Sequence, residues 1–263
     1  MSDILTERSN GILRVEFNRP EKKNAMTGAM YTRLAEIFDE AGKDDETLVV
    51  LWHSAGDAFS AGNDMGDFLK DPPAESGESP QGRLMNAFVR FEKPIVVAVQ
   101  GAAVGGGTTM LTHCDIVYAG ESAKFQLPFI NLALVPEFGS SYSLPSRIGY
   151  LRAAELYLLA EPFDAARAAE LGLVTRVVPE ERLFATAMET AKTLAAKPSG
   201  ALRATKRLLK QGSVDQVKAA IIAENQEFGE RVRSTESKEA ISAFLEKRPP
   251  DFKRKAVRAV AAE

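Results

Sequence analysis

KPIVVAVQGAAVGGG runs from Lys93 to Gly107. Its first part, Ile95 to Val99, is a continuous apolar run rich in β-branched residues, the pattern of a strand buried on both faces. Its second part is small and glycine-dense and leads into Thr108, Thr109 and Met110, where a helix opens. Glycines at such a junction let a ligand approach backbone N–H groups closely, and the helix N-terminus behind them adds partial positive charge.

Upstream, TLVVLWHSAG (Thr47 to Gly56) is a second buried apolar run ending in a turn signal. It is followed by GDAFSAGNDM (Gly56 to Met65), another loop dense in small residues. Two such loops could aim two backbone donors at one oxygen, the construction of an oxyanion hole. Downstream, CDIVYAG (Cys114 to Gly120) is a third short strand. Near the start, GILRVEFNRP (Gly11 to Pro20) alternates apolar and polar residues as a strand does, and MYTRLAEIFDEAG (Met30 to Gly42) places Leu34, Ile37, Phe38 and Ala41 on one helical face, with Gly42 as its stop. Strands and helices alternate to about residue 180, which predicts an α/β core. Beyond that only helical patterns remain, at 182–197, 199–211, 214–232 and 237–247. The expected division is an α/β core over 1–195 and a helical region over 196–263 whose apolar faces call for subunit association. LKDPPAESGESPQ (Leu69 to Gln81) reads as a mobile loop within the core domain.

The composition is that of a soluble globular protein: 263 residues, 45% hydrophobic and 26% charged, with a formal net charge of −3. Nothing in that balance suggests a nucleic-acid or membrane-surface partner. The single cysteine, Cys114, forms no intrachain disulfide. No apolar run approaches the ~20 residues of a membrane span. MSDILTERSN lacks the basic and apolar segments of a secretion signal, so a cytoplasmic location is expected.

Other chemistries fit poorly. The glycine loop reads G-A-A-V-G-G-G, not G-x-G-x-x-G, and no acid for a ribose follows about 20 residues later. The histidines, His53 and His113, have no neighbouring cluster with metal-ligand spacing, so no metal is expected. Ser60, Ser140 and Ser141 have no G-x-S-x-G elbow around them. The basic run DFKRKAVR reads as a solvated tail. One residue stays open. LALVPEFGSSYSLP (Leu132 to Pro145) sets Glu137 between an apolar run and a serine-rich turn. On local sequence it could be a solvated loop charge, or a base whose pKa rises beside an apolar cavity.

Taken together, these stretches resemble the crotonase family, the enoyl-CoA hydratase/isomerase superfamily. FNRPEKKNAM, FSAGNDM, KPIVVAVQGAAVGGG with CDIVYAG, FDAARAAELGLVTRVVP and KEAISAFLEKRPPDF match its segments in order. The resemblance implies a crotonase-like spiral of ββα turns with a C-terminal helical trimerisation region, acyl-CoA thioester substrates of fatty-acid metabolism, and a homotrimer or a hexamer of paired trimers. It implies no cofactor beyond the coenzyme A that the substrate carries. It implies that the N–H groups of Asn63 and Gly106 hold the thioester oxygen. Coenzyme A would lie along Lys22, Lys23, Ala25, Ala61, Asp64 and Met65. Phe244 and Lys247 would close over its nucleotide, and the loop from Leu69 to Gln81 would border the acyl pocket.

The departures narrow the reaction. A typical hydratase of the family has glutamates where this chain has Thr109 and Phe129. Hydration needs one group to activate water and another to deliver a proton to C2, and neither side chain can do so. Glu137 instead matches the base of the Δ3,Δ2-enoyl-CoA isomerases. The resemblance therefore implies an isomerase that moves the double bond of 3-enoyl-CoA to the 2-position. The alternatives are an enoyl-CoA hydratase (lyase) and a non-catalytic acyl-CoA-binding homologue.

Overall fold

The computed structural model describes residues 2–70 and 79–252. Ten strands are present among them: β1 Ile4–Ser9, β2 Ile12–Phe17, β3 Val49–Ser54, β4 Ala58–Ser60, β5 Ile95–Val99, β6 Ala102–Val104, β7 Ile116–Gly120, β8 Lys124–Gln126, β9 Phe163–Asp164 and β10 Arg176–Val178. The helices are α1 Gly28–Lys43, α2 Met65–Lys70, α3 Pro80–Arg90, α4 Gly106–Thr109, α5 Ser140–Ile148, α6 Tyr150–Leu159, α7 Ala165–Glu170, α8 Leu183–Ala195, α9 Ser199–Gln211, α10 Val214–Arg233 and α11 Thr235–Leu245.

The strands form two sheets. One has the order β1-β2-β3-β5-β7-β10, the other β4-β6-β8-β9. The chain fills them in step: β3 then β4, β5 then β6, β7 then β8, each pair placing one strand in each sheet. This is a spiral of strand pairs separated by helices, with parallel neighbours because every turn runs the same way. The hairpin β1–β2 and the end pair β8–β9 are antiparallel.

The continuous apolar runs behave as expected of strands covered on both faces. Val49 to Trp52 and Ile95 to Val99 are buried throughout. An aromatic cluster of Phe17, Phe38, Trp52, Phe59 and Phe88 fills the space between the sheets and α1 and α3, with edge-on and tilted ring pairs 4.8–6.2 Å apart. Ile221 and Phe228 of α10 and Ile241 of α11 belong to this same apolar cluster, so the last helices pack directly on the core.

Some local expectations shift. Helix α1 passes Gly42 and ends at Lys43, where the Asp44 N–H still donates to Glu40 C=O. The serine-rich stretch after Glu137 is the first turn of a helix, α5, and not a free turn. Pro80 and Gln81 belong to α3, whose Ser79 hydroxyl caps the Gly82 N–H. The centre of the loop expected there, 71–78, and the basic tail beyond 252 lie outside the described residues.

Candidate active site

Parallel strands of one sheet send their following loops to one edge. β4, β6 and β8 do so here, and the loops 61–64, 105–106 and 127–137 meet there. Close packing explains the glycines. A Cβ on Gly62, whose φ is +85°, would stand 2.8 Å from the Val104 carbonyl oxygen, and one on Gly107 2.9 Å from that of Ser60. The loops enclose a cavity of about 360 Å³, lined by Asn63, Gly106 and Glu137 and by the apolar side chains of Met65, Phe68, Phe129, Leu132, Leu134 and Phe228.

Asn63 and Gly106 line this space, and chain geometry fixes the loops that carry their N–H groups. The Met26 N–H donates to the Gly62 carbonyl at 2.7 Å, and the Asp64 N–H to the Met26 carbonyl at 2.8 Å. Alternation along an extended segment then turns the Asn63 N–H away from Met26. Gly106 opens α4, so its N–H has no acceptor within the helix. The Tyr31 hydroxyl donates to Asn63 Oδ1 at 2.6 Å and fixes the first loop against α1.

Glu137 sits on the third loop and is 4% exposed. Phe138 and Gly139 both adopt the left-handed conformation, with φ of +63° and +67°. For a phenylalanine this costs on the order of 1–3 kcal/mol, which the surroundings must offset. They do so through backbone partners: the Ser140 hydroxyl donates to the Glu137 carbonyl at 2.5 Å, and His113 Nε2–H donates to the Phe138 carbonyl at 2.8 Å. His113 is buried against the Phe88 ring, and burial lowers its pKa to about 3, so it stays neutral and serves as this donor. The Glu137 carboxylate points at the helix-opening glycine: its Oε1 lies 3.0 Å from where a Cβ on Gly106 would stand. Among the described residues nothing donates to Oε1. Burial first, and then the negative charge of Glu224, raise its pKa to about 8.

Thr109 and Phe129 supply no acid or base. The Thr109 hydroxyl turns back onto the Gly105 and Gly106 carbonyls of its own helix, and Phe129 lies 6.3 Å, centroid to centroid, from the Tyr157 ring.

The match to known proteins agrees with this architecture. The sequence fits the family described as Enoyl-CoA hydratase/isomerase over residues 7–255. The chain belongs to the enoyl-CoA hydratase/isomerase family. It is 35% identical over 251 residues to enoyl-CoA delta isomerase 2 of Rattus norvegicus, covering 94% of this chain but 64% of that protein's length. It is 34% identical over 258 residues to 1,2-epoxyphenylacetyl-CoA isomerase of Escherichia coli, covering 96% of this chain and 98% of the relative. Other matching members carry hydratase names. A crystal structure of an enoyl-CoA hydratase/isomerase from Pseudoalteromonas atlantica superposes with a TM-score of 0.90 at 39% identity, covering 95% of this chain and all of that one. The fold is the crotonase fold of the family.

The remaining expected positions fall near the first loop. Lys22 and Lys23 are exposed on the turn that follows β2. The Lys23 carbonyl accepts from the Ala61 N–H at 2.9 Å, and Arg19 donates to both the Ala25 carbonyl and Asp64 Oδ2. That bridge holds the Asp64 carboxyl below its usual range, through the Arg19 hydrogen bond first. Met65 and Phe244 line the cavity, whereas Lys247 is exposed outside it. Among the residues of the site that lay outside the sequence reading are Tyr31, Glu224 and Arg248, the last of which lines the cavity while paired with Glu239. Glu224 did leave a trace in the sequence, as an acid between Ile221 and Phe228 on one helical face.

Proposed function

We propose that the chain is an enoyl-CoA isomerase that converts 3-enoyl-CoA to 2-enoyl-CoA with Glu137 as its base. The observation that carries this is the Glu137 carboxylate: buried, raised in pKa, its Oε1 without a donor among the described residues and aimed over Gly106. Ionised Glu137 takes the proton from C2 of the acyl chain. The electron pair moves into a planar dienolate whose charge falls on the thioester oxygen. The N–H groups of Asn63 and Gly106 receive that oxygen, each contributing ~3 kcal/mol to the transition state. The protonated carboxyl returns the proton at C4, so no atom is gained or lost and one carboxylate suffices. A positioned base of this kind contributes ~10²–10⁴-fold.

The apolar side chains of the cavity take the acyl chain and exclude water, which also keeps the base strong. Coenzyme A enters along Lys22, Lys23, Ala25, Ala61, Asp64 and Met65, with the exposed lysines near its phosphates, and Phe244 and Lys247 close over it. No cofactor takes part, because every proton and charge in the scheme is handled by Glu137 and the two N–H groups.

One preparation decides the reaction. Loss of a 3-enoyl-CoA and hydration of a 2-enoyl-CoA are followed side by side. Isomerisation is expected to dominate, and to vanish in Glu137→Gln while acyl-CoA binding persists. Efficient hydration without isomerisation would make the protein a hydratase. Binding with neither reaction would leave an acyl-CoA-binding homologue.

A further inference from the structure

Glu224 belongs to α10, far along the chain from the site, yet its carboxylate is 5% exposed beside the Glu137 turn. Its Oε2 accepts from the Gly139 N–H at 2.6 Å and its Oε1 from the Ser141 N–H at 2.7 Å. Gly139 is the N-cap of α5 and provides no side chain to cap it. A carboxylate at that end meets both the free N–H groups and the positive end of the helix. Both oxygens accept backbone N–H groups, which favours the ionised form, while burial acts the other way and raises the Glu224 pKa. The approach is close: a Cβ on Gly139 would stand 2.9 Å from Val217 Cγ1 of the same helix, α10.

We propose that Glu224 is a positioning residue for catalysis: from the C-terminal helix it locks the left-handed turn that aims Glu137. The inference rests on Glu137 being the base. The turn is gripped from two sides, by His113 on the Phe138 carbonyl and by Glu224 on the N–H groups that follow. Without the second grip, Phe138 and Gly139 lose what holds them in the left-handed region, and Oε1 leaves its place over Gly106. Among the described residues, the other titratable groups around the pair are Tyr31 of α1, which faces Glu137, Tyr157 of α6, which faces both acids, and His113 behind the turn, while Arg248 on the same cavity is paired with Glu239. Burial raises both tyrosines and lowers the histidine, so all three stay neutral while the enzyme works. The charge acting on the Glu137 carboxyl is therefore that of Glu224.

The test compares Glu224→Gln and Glu224→Asp with the wild type and with Glu137→Gln, reading kcat, KM and the pH profile of 3-enoyl-CoA isomerisation. A glutamine opposes an N–H to one of the two backbone donors and removes the charge. It should lower kcat by ~10- to 100-fold with KM little changed, and move the acid limb of kcat/KM to lower pH. An aspartate keeps the charge but does not reach both donors, so kcat should fall with the acid limb unmoved. A folded Glu224→Gln with kcat within ~2-fold of wild type and the same limb overturns the proposal. If the glutamine variant does not fold, the aspartate decides: kcat within ~2-fold of wild type overturns the proposal, and a larger fall with an unmoved limb supports it. Full activity in Glu137→Gln removes the base assignment itself. Lost activity there, with both Glu224 variants like wild type, overturns this inference alone.

Discussion

The hydroxyl of Tyr31 donates to Asn63 Oδ1 at 2.6 Å and stands 3.0 Å from where a Cβ on Gly106 would lie. One side chain of α1 thus braces the Asn63 loop and closes over Gly106. Its ring is fully buried and stacks on Phe138, the residue after Glu137, at 6.3 Å. All three loops of the site therefore touch one tyrosine.

Tyr31→Phe keeps the ring and removes the hydroxyl, leaving Asn63 Oδ1 without its donor. A buried hydrogen bond lost in this way costs ~1–3 kcal/mol. If the bond tightens the oxyanion donors, the loss appears in kcat and not in the binding of the acyl-CoA. Steady-state kinetics on a 3-enoyl-CoA, with calorimetric binding of a saturated acyl-CoA, separates the two. Weakened binding with an unchanged kcat would show that Tyr31 shapes only the pocket.

Glu137 should oppose stability at every pH above its ordinary carboxylate range. Its folded pKa, about 8, lies above the ordinary value of 4.5, through burial first and Glu224 second. Between those values the unfolded chain has released the proton and the folded chain still holds it. Unfolding free energy therefore falls as pH rises from about 4.5 to about 8. Glu137→Gln removes that penalty. The variant should melt at a higher temperature than wild type near pH 8, on the order of a few kcal/mol more stable, with the gain vanishing below about pH 4.5. Equal melting temperatures across that range would show that Glu137 is not desolvated in solution.

The two hydratase positions differ in how far they can be converted. Phe129 lines the cavity, whereas Thr109 is buried and directed to its own helix. Thr109→Glu with Phe129→Glu should give measurable hydration of a 2-enoyl-CoA that the parent lacks, with lower stability from two buried acids. Efficient hydration of crotonyl-CoA by the unmodified protein would refute the premise that those carboxylates are needed.

The α/β core was legible because apolar runs such as Val49–Trp52 and Ile95–Val99 lie in a sheet covered on both faces, where strand sequences are continuous, whereas the spiral came from the family resemblance. The glycine loops were legible too, since only glycine tolerates contacts as close as those at Gly62 and Gly107. Short strands were not: β4, β6 and β8 have three residues each and no periodicity to read. At the site, Glu137 could be singled out by resemblance, but its environment depends on Glu224, a residue more than 80 positions away. Such a contact follows from the docking of α10 on the core, which local pattern does not encode.

The last prediction concerns assembly. The C-terminal helices divide their apolar residues between two faces. Ile221 and Ile241 pack on the core, while Ile222 and Leu245 remain exposed, as does Phe244 at the mouth of the cavity. Tyr150 and Leu151 at the start of α6 are 73% and 82% exposed, and Leu209 of α9 is 80% exposed. We read these exposed apolar side chains as parts of an interaction surface. A closed cyclic assembly covers them without open-ended growth. We therefore expect a trimer, or a hexamer of paired trimers, at micromolar concentration by sedimentation equilibrium. Leu151→Glu and Leu209→Glu should each shift the distribution toward smaller species, because a buried charge in an interface is left unpaired. A wild-type protein that sediments as a single chain would refute the assembly. The closure of coenzyme A by Phe244 and Lys247 would then have to come from the same chain, and activity would not depend on protein concentration.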